Sequence, residues 1–197
     1  SITKDTKKFI QNCTTCQLRT ITSGRVFGTN GSRTRPEKAH EIAVDFSHLP
    51  PAGIYDGVLG IIDRATRYVM WIPASTTGTS KDYFLAIYSN WCKIFGYPTI
   101  IRSDRGPQFT SNAWADLWKT VGTTISHTSS YNPKANGIVE RSFRTLKNRL
   151  ASFYQDTTTV SWLEMLPTVE GHHNSCTRES LGGLSPAEIM LGYKPRW

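Results

Sequence analysis

Residues 41–74 read EIAVDFSHLPPAGIYDGVLGIIDRATRYVMWIPA, and within them EIAVDF, GVLGIID and YVMWIPA are three short β-rich runs. The last two flank the polar turn DRATR, which predicts a hairpin and a three-stranded antiparallel start to a sheet. Downstream, Phe84, Ile87, Tyr88, Trp91, Ile94 and Phe95 recur at helical spacing over residues 81–95, with Ser80 as N-cap and Gly96 as the stop. After Pro98, TIIRSD is an apolar strand ending in a polar turn, and Trp114, Leu117, Trp118 and Val121 form the next helical stripe. The short strand TTISH then completes a βαβ unit. Residues 128–137, TSSYNPKANG, hold every breaker type and predict a loop. Val139, Phe143, Leu146, Leu150 and Phe153 follow as one apolar face of a helix of about five turns. Residues 162–174 read as helical, and Ser185-Pro186-Ala187-Glu188 has the capping-box arrangement. This order predicts an α/β fold with a mixed five-stranded sheet flanked by helices.

The chain has 197 residues, 38% hydrophobic and 19% charged, enough for one domain core with a small appendage. A disordered or fibrous protein is excluded. The formal charge is +8, and it is clustered in residues 1–40 and again in residues 136–155, as expected of a chain that touches a polyanion. No apolar run approaches the roughly 18 residues that span a bilayer, and no leader of the signal-peptide kind is visible, so no membrane is expected. Four cysteines are sparse for this length, which favours a reducing compartment, cytosol or nucleus. Cys13 and Cys16 form a Cys-x-x-Cys pair suited to a metal, whereas Cys92 and Cys176 read as buried structural thiols. The first residue is Ser and the last is Trp, so a piece of a longer polypeptide is expected.

Three carboxylates fall at telling places: Asp45 inside the first strand, Asp104 just past the fourth, and Glu140 in the first turn of the long helix. In a mixed sheet the first and fourth strands can be neighbours, and a helix packed on that sheet can bring Glu140 to them. Such a cluster repels itself unless divalent cations neutralise it, and all-oxygen ligands favour Mg²⁺ or Mn²⁺ over zinc. Taken singly, each acid reads as an ordinary strand-end or helix-N-terminal residue. Together they are set in the words VDF, SDRGPQFTSNAW and YNPKANGIVERSFRTLKNRL, with 35 residues between Asp104 and Glu140.

These residues resemble the catalytic core of retroviral and long-terminal-repeat retrotransposon integrases, especially the Ty3/Gypsy type. FIQNCTTCQLR is similar to the second half of that family's amino-terminal His-His-Cys-Cys zinc module, GVLGIIDRATRYVMWIPA to its strand pair, and GLSPAEIMLGYKPR to the segment closing its core. The resemblance implies a ribonuclease H-like fold and a division into a truncated zinc module (residues 1–20), a basic linker (21–38) and the catalytic core (39–197). It implies two-metal phosphoryl transfer with Asp45, Asp104 and Glu140 as catalytic residues and ligands of two Mg²⁺ or Mn²⁺ ions. Cys13 and Cys16 would bind Zn²⁺ only in the longer protein, because the two histidines of the module are expected upstream of this chain. Two positions depart from many Ty3/Gypsy relatives, which have His at Asn132 and Gln at Ile138; YNP and an apolar residue before Val139 look more like the retroviral version. Neither departure removes a metal ligand.

Glu140, Arg144 and Lys147 lie at i, i+4 and i+7, so one helix face presents an acid followed by two cations, with Arg141 and Arg149 near its edges. Phosphates entering the site can be gripped along that face; a solvated face with a Glu140–Arg144 pair is the plainer alternative. By resemblance, the loop with Tyr131, Asn132, Lys134 and Asn136 contacts the element's DNA end. Adjacent His172 and His173 point to different sides of a helix and are not expected to share a metal. The implied function is 3′-end processing and strand transfer between element-end DNA and target DNA, in the nucleus, after release from a cytoplasmic polyprotein. The alternatives are a domesticated or decayed core that only binds DNA or assembles, and a general ribonuclease H-like nuclease. A homo-oligomer, dimer or tetramer, is expected through the helices at 81–95 and 162–174, whose Trp91 and Trp162 are either part of that surface or internal.

Overall fold

The computed structural model describes residues 37–127, 133–156 and 160–196, without the side chains of residues 133–136 and 153–156. At its centre is β1 (Glu41–Ala52), which pairs antiparallel with β2 (Tyr55–Asp63) and parallel with β4 (Ile100–Ser103). β3 (Val69–Ala74) lies outside β2 and β5 (Thr124–His127) outside β4, giving the order β3-β2-β1-β4-β5. Both faces of this sheet are covered, which is why its strands read as near-continuous apolar runs. Ile42, Val44 and Leu59 face a core with Trp91, Trp114 and Trp118; Ala43, Val58 and Ile62 face a second core with Phe143, Leu146 and Trp162.

The first core is roofed by α1, which begins as Ser80–Ile87 and widens through a π-helical turn at Tyr88–Cys92 before its last turn, Lys93–Phe95. Its N-cap is Thr79, not Ser80: the Thr79 side chain accepts from the Asp82 N–H, and the Asp82 carboxylate accepts from Thr79 in return at 2.8 Å. A capping box satisfies two orphan donors where a lone serine satisfies one. Behind it come α2 (Pro107–Thr110) and α3 (Asn112–Thr120). The second core is roofed by α4 (Pro133–Asp156) and α5 (Trp162–Ser175), and α6 (Pro186–Leu191) closes the chain with the expected Ser185–Glu188 capping box. α4 takes in residues 133–137, which the sequence reads as loop. Pro133 is its first residue, a position where the missing N–H would have no helical partner anyway. The expected zinc half-module and basic linker, including Cys13 and Cys16, lie outside the described residues.

Polar contacts that hydropathy does not announce hold these layers in place. Buried Asp63 accepts from the Ala39 N–H, the Thr66 N–H and the Thr66 hydroxyl, fixing the β2–β3 turn. Glu41 pairs with both Arg64 and Arg102; burial pushes its carboxyl up, but the two guanidinium groups outweigh this and hold it below the usual range. Along β3, the Asn174 side chain accepts from the Val69 N–H at 2.9 Å and donates to the Val69 carbonyl at 2.8 Å, while Glu170 accepts from the Trp71 N–H at 2.6 Å. Side chains of α5 thus pair with a sheet edge that would otherwise offer open backbone groups.

Trp91 and Trp162 are both internal, and the Trp162 indole donates to the Pro50 carbonyl at 2.8 Å. The sheet and α5 supply enough apolar surface to bury them, so neither forms an association surface. Cys92 is buried as expected, its thiol pushed up to about 11 by burial. Cys176, by contrast, is partly exposed, because it caps the last turn of α5 beside His172. Among the described residues, no helix is long and apolar enough to cross a membrane.

Burial pushes the Glu170 carboxyl up to about 7 from 4.5. The folded chain therefore binds more protons than the unfolded chain across that window, and this group's contribution to stability declines as pH rises through it. Glu170→Gln is expected to stabilise the protein at pH 8, by about 2 kcal/mol, and to give no gain below pH 4.5. Urea denaturation midpoints of both proteins at the two pH values check this.

Candidate functional site

Asp45 is the fifth residue of β1 and is opposite Gly60 of β2. That glycine is a socket: a Cβ there would stand 2.5 Å from the Phe143 ring of α4. With no side chain in the way, α4 beds closely onto the sheet. Glu140 stands one turn before Phe143 on the same helix, so the close approach carries it toward Asp45. Asp104 follows β4, the parallel neighbour of β1, and its carboxylate accepts from the Gly106 N–H at 2.9 Å in a tight turn. Central pairing, a glycine socket and a strand-end turn therefore bring three distant acids into one electrostatic neighbourhood.

Asp45 registers that neighbourhood. Its carboxyl is pushed up to about 7, first by burial, then by the charge of Asp104, with a further contribution from Glu140; one hydrogen bond, from the Phe46 N–H at 2.8 Å, opposes this. The three acids are not gathered into a ready-made cage: among the described residues, no three His, Cys, Asp or Glu side chains stand close enough to hold a metal ion. Like charges without neutralisation keep apart. The donor chemistry nevertheless fits hard divalent cations: all ligand atoms would be carboxylate oxygens, and the Asp45 and Asp104 carboxylates each engage one oxygen with a backbone N–H and take no other hydrogen bond among the described residues.

A cleft of about 420 Å³ opens between β1 and α4, lined by Asp45, Glu140, Arg144, Lys147 and Asn148 with Phe46 and Phe143 at its base. The structure thus assembles Asp45, Glu140, Arg144 and Lys147 in one place, with exposed cations beside the acids. It sends Arg141 elsewhere, to a separate cavity on the other side of α4, and Arg149 donates toward the Cys176 sulfur at 3.7 Å. Tyr131 and Asn132, and the side chains of Lys134 and Asn136, lie outside the described residues. His172 is exposed and His173 buried, on different sides of α5 as their adjacency requires. Two further residues stand beside the acids, Asn148 in the cleft lining and His127 next to Asp104. Asn148 lies one turn beyond Arg144, a spacing that marks it; His127 is an exposed strand-end residue whose Nδ1 is 3.2 Å from both the Asp104 carbonyl oxygen and the Ser103 hydroxyl, and nothing in the sequence marks it.

Residues 36–133 match the integrase core domain family. That match to an integrase core domain spans about half of the chain. The Tf2-3 transposon polyprotein of Schizosaccharomyces pombe is 24% identical over 196 residues, covering 98% of this chain and 15% of that protein. The chain thus spans about 15% of the length of the curated polyproteins it matches. Among solved structures, this chain resembles in fold a chain of the simian T-cell lymphotropic virus intasome in complex with PP2A regulatory subunit B56 gamma, with TM-score 0.72, 17% identity and coverage of 98% of this chain and 68% of that one. It also resembles the HTLV-2 integrase catalytic core domain in complex with magnesium, with TM-score 0.65, 18% identity and coverage of 80% and 99%. The sheet order and helices are those of the ribonuclease H-like fold of integrase cores.

The socket in the integrase core generates a direct test. Gly60→Ala is expected to push α4 off the sheet and destabilise the protein by about 2 kcal/mol through overpacking. Combining it with Phe143→Leu should cost less than the sum of the two single changes, as urea unfolding of the double-mutant cycle will show.

Proposed function

We propose that this chain is the catalytic part of a retroelement integrase, acting on element-end DNA and target DNA in 3′-end processing and strand transfer. The observation that carries the reading is the cleft in which Asp45 and Glu140 stand with Arg144 and Lys147, where burial first, and then the charges of Asp104 and Glu140, push the Asp45 carboxyl up. A half-buried acid with like charges beside it is costly, and it persists where a cationic ligand offsets that cost. Asp45, Asp104 and Glu140 are the residues that would hold two Mg²⁺ or Mn²⁺ ions. Such a pair, when bound, lowers the pKa of an attacking water or 3′-hydroxyl and stabilises the leaving oxygen of an in-line displacement at phosphorus.

The protein's own groups do the positioning. In end processing a water oxygen bonds to phosphorus as the bond to the 3′-oxygen breaks, leaving a 3′-hydroxyl on the element. In strand transfer that hydroxyl attacks a target phosphodiester, and the target's 3′-oxygen leaves. Arg144 and Lys147, exposed on the rim of the cleft, are placed to grip non-bridging phosphate oxygens on either side of the reacting one. The Phe46 and Gly106 N–H groups orient the Asp45 and Asp104 carboxylates, so their free oxygens are presented in a fixed direction.

Residues 1–20 are, in this reading, the remnant of a zinc module ligated through Cys13 and Cys16 in the longer protein, residues 21–38 a basic linker and residues 39–197 the core. Release from a polyprotein and action in the nucleus belong to the same proposal. Self-association would use the groove between β3, α1 and α5, where Ile94, Leu163 and Pro167 meet Met70 and Pro73; the HTLV-2 core is described in a dimeric form.

Protein dialysed against chelator is expected to be inert on a labelled duplex and to recover nicking and joining when Mg²⁺ or Mn²⁺ is restored. Asp45→Asn, Asp104→Asn and Glu140→Gln should each reduce metal-dependent product to background with the circular dichroism spectrum unchanged. Full activity in any one would remove that residue from the site. Duplex binding without metal-dependent cleavage, unaffected by the three changes, would favour the decayed module, and cleavage confined to RNA–DNA hybrids the general nuclease.

A further inference from the structure

On the side of α4 turned away from the acids is a cavity of about 500 Å³, bounded by α4, the β2–β3 turn and the chain after α5. At 3.6 residues per turn, Ile138, Arg141, Ser142 and Thr145 project roughly opposite Glu140, Arg144 and Lys147, so this cavity shares no lining residue with the acidic cleft. Arg67, Arg141 and Arg178 line it, together with His173, and no lining residue is acidic.

The hydrogen-bond inventory of its wall is one-sided. His173 is 2% exposed, and its Nε2 stands 2.7 Å from an Arg178 amino group. A guanidinium only donates, so Nε2 is the acceptor and Nδ1 carries the ring proton. That Nδ1, the Arg178 Nε and the NH1 group of nearby Arg149 are all buried without a hydrogen-bond partner among the described residues. The Ser142 and Thr145 hydroxyls are spent on the Val139 and Arg141 carbonyls, at 2.7 and 3.0 Å. Each of these three unpartnered atoms is a donor. Burial and the neighbouring guanidinium groups hold His173 down at about 3, so the imidazole stays neutral while the arginines carry the charge. Water brings two protons of its own and corrects such an excess poorly. An acceptor-only ligand with several oxygens corrects it fully.

We propose that this cavity is a phosphate-binding pocket, separate from the acidic cleft, in which Arg178, Arg141 and His173 hold the oxyanions of a polyphosphate or of a nucleic-acid backbone. Its volume exceeds what one carboxylate or one orthophosphate fills, and guanidinium forks match phosphate oxygens two at a time. The proposal does not depend on the acids being catalytic, because the pocket uses none of them.

The test is carried out in metal-free buffer, so that no anion can ride on cations bound at the acids. Inorganic tripolyphosphate titrated calorimetrically into the whole chain is expected to bind one to one. Arg178→Gln, which removes a fork, and Thr145→Glu, a conservative change in helix propensity that puts a negative charge into the pocket, should each weaken it at least tenfold. Thr145→Glu keeps the test decisive should the loss of Arg178 disturb the His173 contact. A labelled duplex displaced by tripolyphosphate, and weakened by Thr145→Glu, would make the backbone phosphodiester the natural occupant; tripolyphosphate binding without displacement would make it a free polyphosphate. No binding to the folded protein, affinity unchanged in both variants, or preference for poly-glutamate over tripolyphosphate would overturn the proposal. Loss of metal-dependent cleavage with tripolyphosphate binding intact would count against the function proposed for the acids and leave this pocket standing.

Discussion

The place of β1 between an antiparallel and a parallel neighbour is the constraint from which the rest follows. Because β2 lies on one side and β4 on the other, Asp45 has Gly60 directly across from it on one flank and the strand that leads to Asp104 on the other. Because Gly60 has no side chain, the Phe143 ring seats against the sheet and α4 lies close to β1. Changing any of these pairings by one residue would turn Asp45 to the other face, away from α4 and Glu140. The site is thus a consequence of register before it is a matter of chemistry.

α4 is electrostatically two-sided. One side presents Glu140 with Arg144 and Lys147 to the acidic cleft, where burial first, and then the charges of Asp104 and Glu140, raise the proton affinity of Asp45. The other presents Arg141 to a cavity walled by donors and positive charge. A single helix separates the two surfaces, so a cleft of mixed acids and cations and a cavity whose charged lining is cationic stand a helix diameter of about 10 Å apart. Each arrangement is tolerable because it faces a cavity and not packed apolar side chains, and each is a place where a ligand of complementary charge stabilises the fold. The cost of carrying such groups is offset in the two cores, whose tryptophans and branched aliphatics cover both faces of the sheet.

Edge protection at β3 shows the same economy of parts. Asn174 and Glu170 of α5 take the backbone groups that a further strand would have taken, so the helix that completes the second core also blunts the sheet edge. Glu170 does this as a buried carboxyl whose proton affinity is high, which ties the edge to pH. Its other surroundings line the apolar groove against α1.

The strands, the long helix and the three acids were legible in the sequence because each rests on local information: alternating or continuous apolar runs, the stripe from Val139 to Leu150, and acids set where apolar neighbours make them costly. The cap at Thr79, the helical start at Pro133 and the partial exposure of Cys176 were read otherwise, since each depends on how chain ends are satisfied by groups outside the local pattern. Gly60 as a socket, the Glu41–Arg64–Arg102 cluster, the Asn174 clamp and the donor-rich cavity at His173 join residues far apart in the chain. Hydrophobic periodicity carries no information about which polar groups meet across elements. The class of fold and the acids to watch are readable from the chain alone, because backbone propensity and burial are written locally. That Arg144 and Lys147 share the acidic cleft while Arg141 faces away follows from packing across elements, because a helix sorts its side chains by angle against neighbours that packing alone supplies.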